Sequence, residues 1–193
     1  MSNQKLFIPI ILGTNREGRQ SEAPAKFILE KLQEKSLVET ELIDVKNFAM
    51  PADNYGQAIK DLFPKYREMI VKADGIIIIA PEYNHGYPGI LKSVLDTLYS
   101  EYAHKAVGLV GVSAGPWGGT RVVESLLPVV RELGLVATET DLNFSLVQNV
   151  FDKQGKLLDQ AFAERADKFL EELIWMSKTL KWGREHNPSK FRK

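Results

Sequence analysis

The sequence predicts an α/β protein, a doubly wound parallel sheet with helices on both faces. Short apolar runs alternate with amphipathic helical stretches along the chain. One run, Ile76-Ile77-Ile78-Ile79-Ala80, is apolar throughout, as a strand is when helices cover both faces of its sheet. The chemically unusual segments follow strands one, three and four, and sheets of this kind bind ligands beyond the carboxyl ends of their strands.

In order, Leu6-Phe7-Ile8-Pro9-Ile10-Ile11 is the first strand, and the loop after it feeds an amphipathic helix from Ala23 to Leu32. Val38 to Val45 sets Leu42, Ile43 and Val45 among Glu39, Thr40, Glu41 and Asp44, the pattern of an edge-side strand. Lys46 to Phe63 is irregular, with Pro51 and Gly56 as punctuation; long loops in compact domains are often functional, so it is expected to wall the site. Tyr66 to Ala73 is helical, Asp74-Gly75 opens the isoleucine strand, and Leu91 to Tyr99 is the next helix. Ala106 to Val112 is a strand and Val122 to Leu133 a helix. Leu135 to Leu146 holds the last strand, interrupted around Asp141, and Leu157 to Trp182 the final helix. Five strands and five helices make one domain over 1–182, and 183–193 is a basic tail.

At 193 residues, 44% hydrophobic and 26% charged, the chain has ordinary globular composition. Its 25 basic and 25 acidic residues cancel, so no global field recruits nucleic acid or an anionic membrane. There is no cysteine, which excludes disulfides, thiolate metal sites and thiol catalysis. No long apolar region precedes the first strand and nothing reaches transmembrane length, so cytoplasm is the expected location.

The loop from Leu12 to Ser21, Leu-Gly-Thr-Asn-Arg-Glu-Gly-Arg-Gln-Ser, aims backbone N–H groups and a helix N-terminus at one spot, which suits a phosphate. Thr14 and Ser21 add hydroxyls, and Arg16 and Arg19 add fork-shaped cations. A Walker A loop needs Lys-Ser/Thr after the second glycine; here Gly18 is followed by Arg19-Gln20. The Gly-x-Gly-x-x-Gly pyrophosphate fingerprint is also absent. A terminal monophosphate, as in FMN, fits better, and the competing reading is a surface turn with solvated arginines.

The second loop, Pro81-Glu82-Tyr83-Asn84-His85-Gly86-Tyr87-Pro88-Gly89, joins a stiff backbone to exposed amides and flat side chains. A planar heteroaromatic ring wants that combination, with Asn84 at its rim. The third loop, Ser113-Ala114-Gly115-Pro116-Trp117-Gly118-Gly119-Thr120, is glycine-rich, so that backbone can approach a ring without a Cβ in the way. Singly, each feature has an ordinary alternative: Tyr83 and Tyr87 as loop packing, Trp117 as a core or interface aromatic, Glu82 as a helix-capping or solvent-facing charge.

Together, Gly13-Thr14-x-Arg16-x-Gly18-Arg19-x-Ser21, Pro81-Glu82-Tyr83-Asn84-x-x-x-Pro88-Gly89-x-Leu91-Lys92 and Ser113-x-Gly115-x-x-Gly118-Gly119 resemble the NADPH-dependent FMN reductase family of flavodoxin-like proteins, from the first strand to about residue 150. The resemblance implies a three-layer flavodoxin-like sandwich with a five-stranded parallel sheet in the order 2-1-3-4-5. It implies FMN as cofactor and NADPH or NADH as co-substrate, with Thr14, Arg16, Arg19 and Ser21 at the phosphate. Pro81, Glu82, Tyr83 and Asn84, with Ser113, Gly115, Gly118 and Gly119, would contact the ring. It also implies a homodimer or homotetramer joined through the helix after Pro88, and exposed apolar surface on the Leu91 to Tyr102 helix would favour at least a dimer.

FMN carries the redox chemistry in such enzymes, so no catalytic side chain and no metal are expected. The activity implied is hydride transfer from NADPH to a quinone, flavin or similar small acceptor, in ping-pong order. Replacing Arg16 with Ala is then expected to weaken FMN by about 1.5–3 kcal/mol, the size of a hydrogen bond to a charged group. The alternatives are a flavodoxin-type electron carrier without nicotinamide turnover and a non-enzymatic binding module on the same fold.

Overall fold

The computed structural model describes residues 5–50 and 63–190. Strands β1 (Leu6–Phe7) and β2 (Ile10–Leu12) lead to helix α1 (Glu22–Gln33), then β3 (Val38–Glu39), β4 (Leu42–Asp44) and a 3₁₀ turn at Val45–Asn47. Helix α2 (Pro64–Lys72), β5 (Gly75–Pro81), α3 (Gly89–Leu95), a 3₁₀ turn at Ser100–Tyr102, β6 (Ala106–Val112) and α4 (Thr120–Glu132) follow. The chain ends with β7 (Val136–Ala137), β8 (Leu142–Phe144), a 3₁₀ turn at Val147–Asn149 and α5 (Gln160–His186). Most of the expected wall from Lys46 to Phe63 falls outside the described residues.

All pairings between these strands are parallel. The larger sheet has six strands in the order β4-β2-β5-β6-β7, with β8 also beside β6, and β1 pairs β3 separately. Eight short strands thus stand where five were expected. Pro9, which has no N–H, splits the first strand, yet Ile8 N to Glu39 O and Ile10 N to Glu41 O, both 2.9 Å, carry the pairing across the gap. The last strand breaks where the Thr138 hydroxyl donates to Val107 O and Thr140 O. β7 therefore pairs the start of β6, at Ala106 and Val107, and β8 its end, from Val110 to Val112.

The isoleucine run shows why both faces are apolar. Ile76 and Ile78 join the core under α2, α3 and α4, while Ile77 and Ile79 join the core under α1 and α5. Side chains of a strand alternate, so a four-residue apolar run serves two cores. Helix α3 stops at Leu95, short of the expected Tyr99, as the Thr97 hydroxyl bonds Val94 O. Its apolar residues Leu91, Val94 and Leu95, with Leu98 and Tyr102 beyond, lie in the protein's own core, while Tyr99 is 47% exposed.

Two buried polar arrangements brace the opposite end of the sheet. Asp74 accepts from Phe7 N at 3.1 Å, Lys181 at 3.0 Å and Arg184 at 3.3 Å, and Arg184 also donates to His104 O at 2.7 Å. Lys105 donates to the last carbonyls of α2, Ile70 O and Val71 O. Burial pushes the Lys105 ammonium down to about 8, with Arg184 adding to the effect and Asp74 and Glu101 opposing it. The neighbouring phenols of Tyr66 and Tyr102, which share a 2.5 Å hydrogen bond, are pushed well up by burial.

From pH 8 to about 10, therefore, the unfolded chain retains a proton on Lys105 that the folded chain has released, and stability rises with pH. Above about pH 10 the unfolded tyrosines ionise while the folded ones do not, and stability falls. Denaturant melts from pH 7 to 11 are expected to show a maximum near pH 10, and Lys105→Met to remove the rising limb. A wild-type profile that only declines would contradict the burial of a titrating Lys105.

Candidate active site

The carboxyl ends of β2, β5 and β6 release the three segments singled out above, and the structure joins them. After β2, the Gly13 N–H donates to Ile79 O at 2.8 Å, and a Cβ on Gly13 would lie 2.8 Å from Leu91, so this turn sits directly on α3. Thr14 is buried; its hydroxyl shares a 3.1 Å hydrogen bond with the Tyr83 hydroxyl and accepts from Arg16 N at 3.3 Å. The Arg16 guanidinium lies 4.5 Å from the Tyr83 ring centre, a cation–π contact. First and second loops are thereby tied together.

Arg19 and Arg16 differ in environment. Arg19 grips the Asp44 carboxylate with two bonds, 2.7 and 2.5 Å, and donates to Thr14 O as well. Its side chain is only 5% exposed. The Asp44 hydrogen bond raises the already high pKa of Arg19; burial pushes Asp44 up, but the Arg19 bond and charge and the Lys46 bonds together outweigh this and leave it below the usual carboxylate value. Arg19 thus braces the loop from beneath, while the Arg16 residue is exposed.

Ser21 is the N-cap residue of α1, yet its side chain makes no capping bond. Its Oγ is buried and has no hydrogen-bond partner among the described residues. A buried hydroxyl without a partner costs about 1–3 kcal/mol. It is therefore poised for a ligand acceptor, beside backbone N–H groups at the positive end of a helix.

In the second loop, Pro81 ends β5 and is buried. The Glu82 N–H donates to Val112 O at 2.9 Å, and its carboxylate accepts from Arg121 N at 3.3 Å and the Arg121 side chain at 3.2 Å. Glu82 is thus the helix cap that its charge allowed, and it ties the second loop to the start of α4. Tyr83 and Gly86 exchange two backbone bonds of 2.9 and 3.1 Å around Asn84 and His85, whose φ angles are 51° and 65°. Two left-handed central residues make a type I′ turn, which places Asn84 and His85 at an exposed tip.

In the third loop, the Ser113 hydroxyl accepts from Gly115 N at 3.0 Å. Gly118 and Gly119 have φ angles of 63° and 84°, and a Cβ on Gly119 would lie 2.5 Å from Val112 N. Gly119 is needed by the packing of the loop against its own strand, while a Cβ on Gly118 would lie 3.1 Å from Asn143 of β8 and from Ser145 N. Trp117 is 64% exposed, so it is not a core aromatic; the Arg121 guanidinium lies 5.8 Å from its ring centre.

The sequence reading missed Asp44 and the segment after β8. Asp44 ends a strand adjacent to β2, so the rule about carboxyl ends could have found it. The second has no local signal: Leu146 N donates to Gly115 O, Val147 N to Ser113 O and the Gln148 side chain to Ala114 O. Asn143 of β8 also has a buried Oδ1 without a partner among the described residues, against Gly111.

A family model described as NADPH-dependent FMN reductase matches residues 7–148, from β1 through the segment that closes the third loop. The chain belongs to this family. As a family member it is 29% identical, over 143 residues, to an NAD(P)H-dependent FMN reductase of Pseudomonas aeruginosa, covering 70% of this chain and 77% of the relative. A 2-hydroxy-1,4-benzoquinone reductase of Burkholderia is 24% identical over 151 residues, 75% and 79% of the two chains. FerB, a flavoenzyme NAD(P)H:(acceptor) oxidoreductase from Paracoccus denitrificans, shares the fold with a TM-score of 0.74 at 19% identity, over 90% of this chain and 98% of that one. The matched region of this FMN reductase family member contains all three loops; α5 lies beyond it.

Proposed function

We propose that the protein is an FMN-dependent NAD(P)H oxidoreductase that reduces a quinone, flavin or similar small acceptor in the cytoplasm. The observation that supports it most directly is the buried Ser21 Oγ at the start of α1, which has no hydrogen-bond partner among the described residues. A phosphate there accepts from Ser21, from Thr14 and from the N–H groups of Glu22 and Ala23, the next helical residue being Pro24, which has none. Arg16 is the cation free to reach it, and Arg19 holds the loop in shape through Asp44. Pro81, Glu82, Tyr83 and Asn84, with Ser113, Gly115, Gly118 and Gly119, frame the ring.

When bound, FMN supplies hydride acceptance from a nicotinamide and donation to the acceptor. The chain's own part is to orient and to admit. The Thr14–Tyr83 bond keeps the phosphate and ring ends of the crevice at a set separation, and the Glu82–Arg121 pair fixes the second loop against the third. Donor and acceptor then approach one open side in turn, which gives ping-pong kinetics. A homodimer or homotetramer belongs to the same reading and rests on the family resemblance.

The deciding experiment is an absorption spectrum of FMN-reconstituted protein before and after anaerobic addition of NADPH. A flavin spectrum that bleaches supports the proposal. Bound flavin that stays oxidised favours an electron carrier, and failure to take up FMN removes the flavin reading. Ser21→Ala is a sharper test of the phosphate site. It is expected to leave the apoprotein as stable or slightly more so, because it deletes an unsatisfied group, while weakening FMN by about 1.5–3 kcal/mol in a fluorescence titration. Unchanged FMN affinity would take Ser21 out of the site.

A further inference from the structure

We infer that the groove between α1 and the segment after β8 seats the adenosine-phosphate half of the nicotinamide dinucleotide, an inference that rests on the reductase reading above. Once nicotinamide reaches the three-loop crevice, the rest of the dinucleotide needs a surface continuous with it. This groove begins at Arg19 and Gln20, the end of the first loop. Its far wall starts at Val147 and Gln148, bonded to the third loop at Ser113 O and Ala114 O. Its volume of about 570 Å³ suits a nucleotide fragment. The cavity beside Phe7, Val38 and Lys72, by contrast, lies against β1 and β3, away from the three loops.

The lining has the chemistry of an adenylate site. Phe27 and Phe151 are half-buried with ring centres 6.0 Å apart, offering apolar surface to a purine. Lys153 is exposed and has no carboxylate within 4 Å among the described residues. It sits on a braced turn, in which Asp152 Oδ1 accepts from Gln154 N at 2.9 Å and Lys156 N at 2.8 Å and Gly155 takes a φ of 82°. The cation is therefore carried by an ordered turn that lines the groove. Glu30 on the α1 wall can accept from ribose hydroxyls.

The test uses FMN-loaded protein. Lys153→Glu is expected to raise the KM for NADPH roughly tenfold or more, the equivalent of one charge-assisted hydrogen bond, and Lys153→Arg to keep it near wild type. Calorimetry with 2′,5′-ADP is expected to show binding to wild type and a matching loss in Lys153→Glu, while the FMN dissociation constant, governed by other residues, does not move. Failure of wild type to bind FMN or to be reduced by NADPH sinks the reductase reading itself. If wild type does both and Lys153→Glu leaves KM and 2′,5′-ADP affinity unchanged, the groove assignment alone is overturned. It is equally overturned if Lys153→Glu weakens FAD without changing the KM for NADPH, since the groove would then serve a flavin's adenylate.

Discussion

Replacing Arg19 with alanine is expected to cost about 1.5–3 kcal/mol of unfolding free energy, because it removes the charge-assisted bonds to a largely buried carboxylate and leaves Asp44 only the exposed Lys46 ammonium, 3.3 Å away, and the Lys46 N–H. Arg19 and Asp44 are 5% and 13% exposed and meet through two short bonds, so little water is at hand to replace the guanidinium. The loss also frees the Thr14 carbonyl and with it the first loop, so FMN affinity falls alongside stability. A double-mutant cycle with Asp44→Asn in urea checks the cause: the double variant should regain much of the loss, since the neutral amide no longer needs a cation. Additive effects would show that the pair does not couple. Acid titration adds a second reading. The folded Asp44 pKa lies below its unfolded value, so the pair's contribution is present above about pH 4 and is lost as pH falls through the folded value. Arg19→Ala should lose that part of the acid dependence.

Gly119→Ala is expected to cost about 3 kcal/mol or more. A left-handed backbone in a residue with a Cβ costs about 1–2 kcal/mol, and overpacking adds about 1–3 kcal/mol. The added Cβ would lie 2.5 Å from Val112 N and 2.8 Å from Gly111 C, backbone atoms of β6 that have nowhere to go. Gly18 is the internal control: its φ is +66° but nothing lies within 4 Å of an added Cβ, so Gly18→Ala should cost only the conformational part, about 1–2 kcal/mol. Equal losses for the two variants, measured in denaturant melts of the apoprotein, would mean that close packing is not what requires glycine in the third loop. On the proposed function, in which the third loop frames the ring, Gly119→Ala should also impair FMN binding far more than Gly18→Ala does.

Much of this was legible in the residues alone. The isoleucine strand, the helices from α1 to α5 and the three loops at strand ends follow from local pattern, because periodicity and turn chemistry act over a few residues. Helix ends were less so: α3 closed early and α5 ran on to His186, where Arg184 meets Asp74 from 110 residues away in sequence. Pro9 splitting the first strand could have been anticipated, since a proline has no N–H to give; the break at Thr138 depended on a hydroxyl finding two carbonyls.

Within the site, the residue types determined by themselves that a phosphate and a flat ring suit these loops, since hydroxyls, arginines, glycines and amides carry that chemistry wherever the fold puts them. Which groups are free to use it was decided only by tertiary contacts. Arg16 and Arg19 are alike in sequence, yet Asp44, brought in by the neighbouring strand, engages one and leaves the other exposed. Ser21 and Ser113 are both loop hydroxyls, yet Ser113 meets a backbone amide and Ser21 finds no hydrogen-bond partner among the described residues. Long-range partners saturate hydrogen-bonding capacity, and a local sequence window does not contain them.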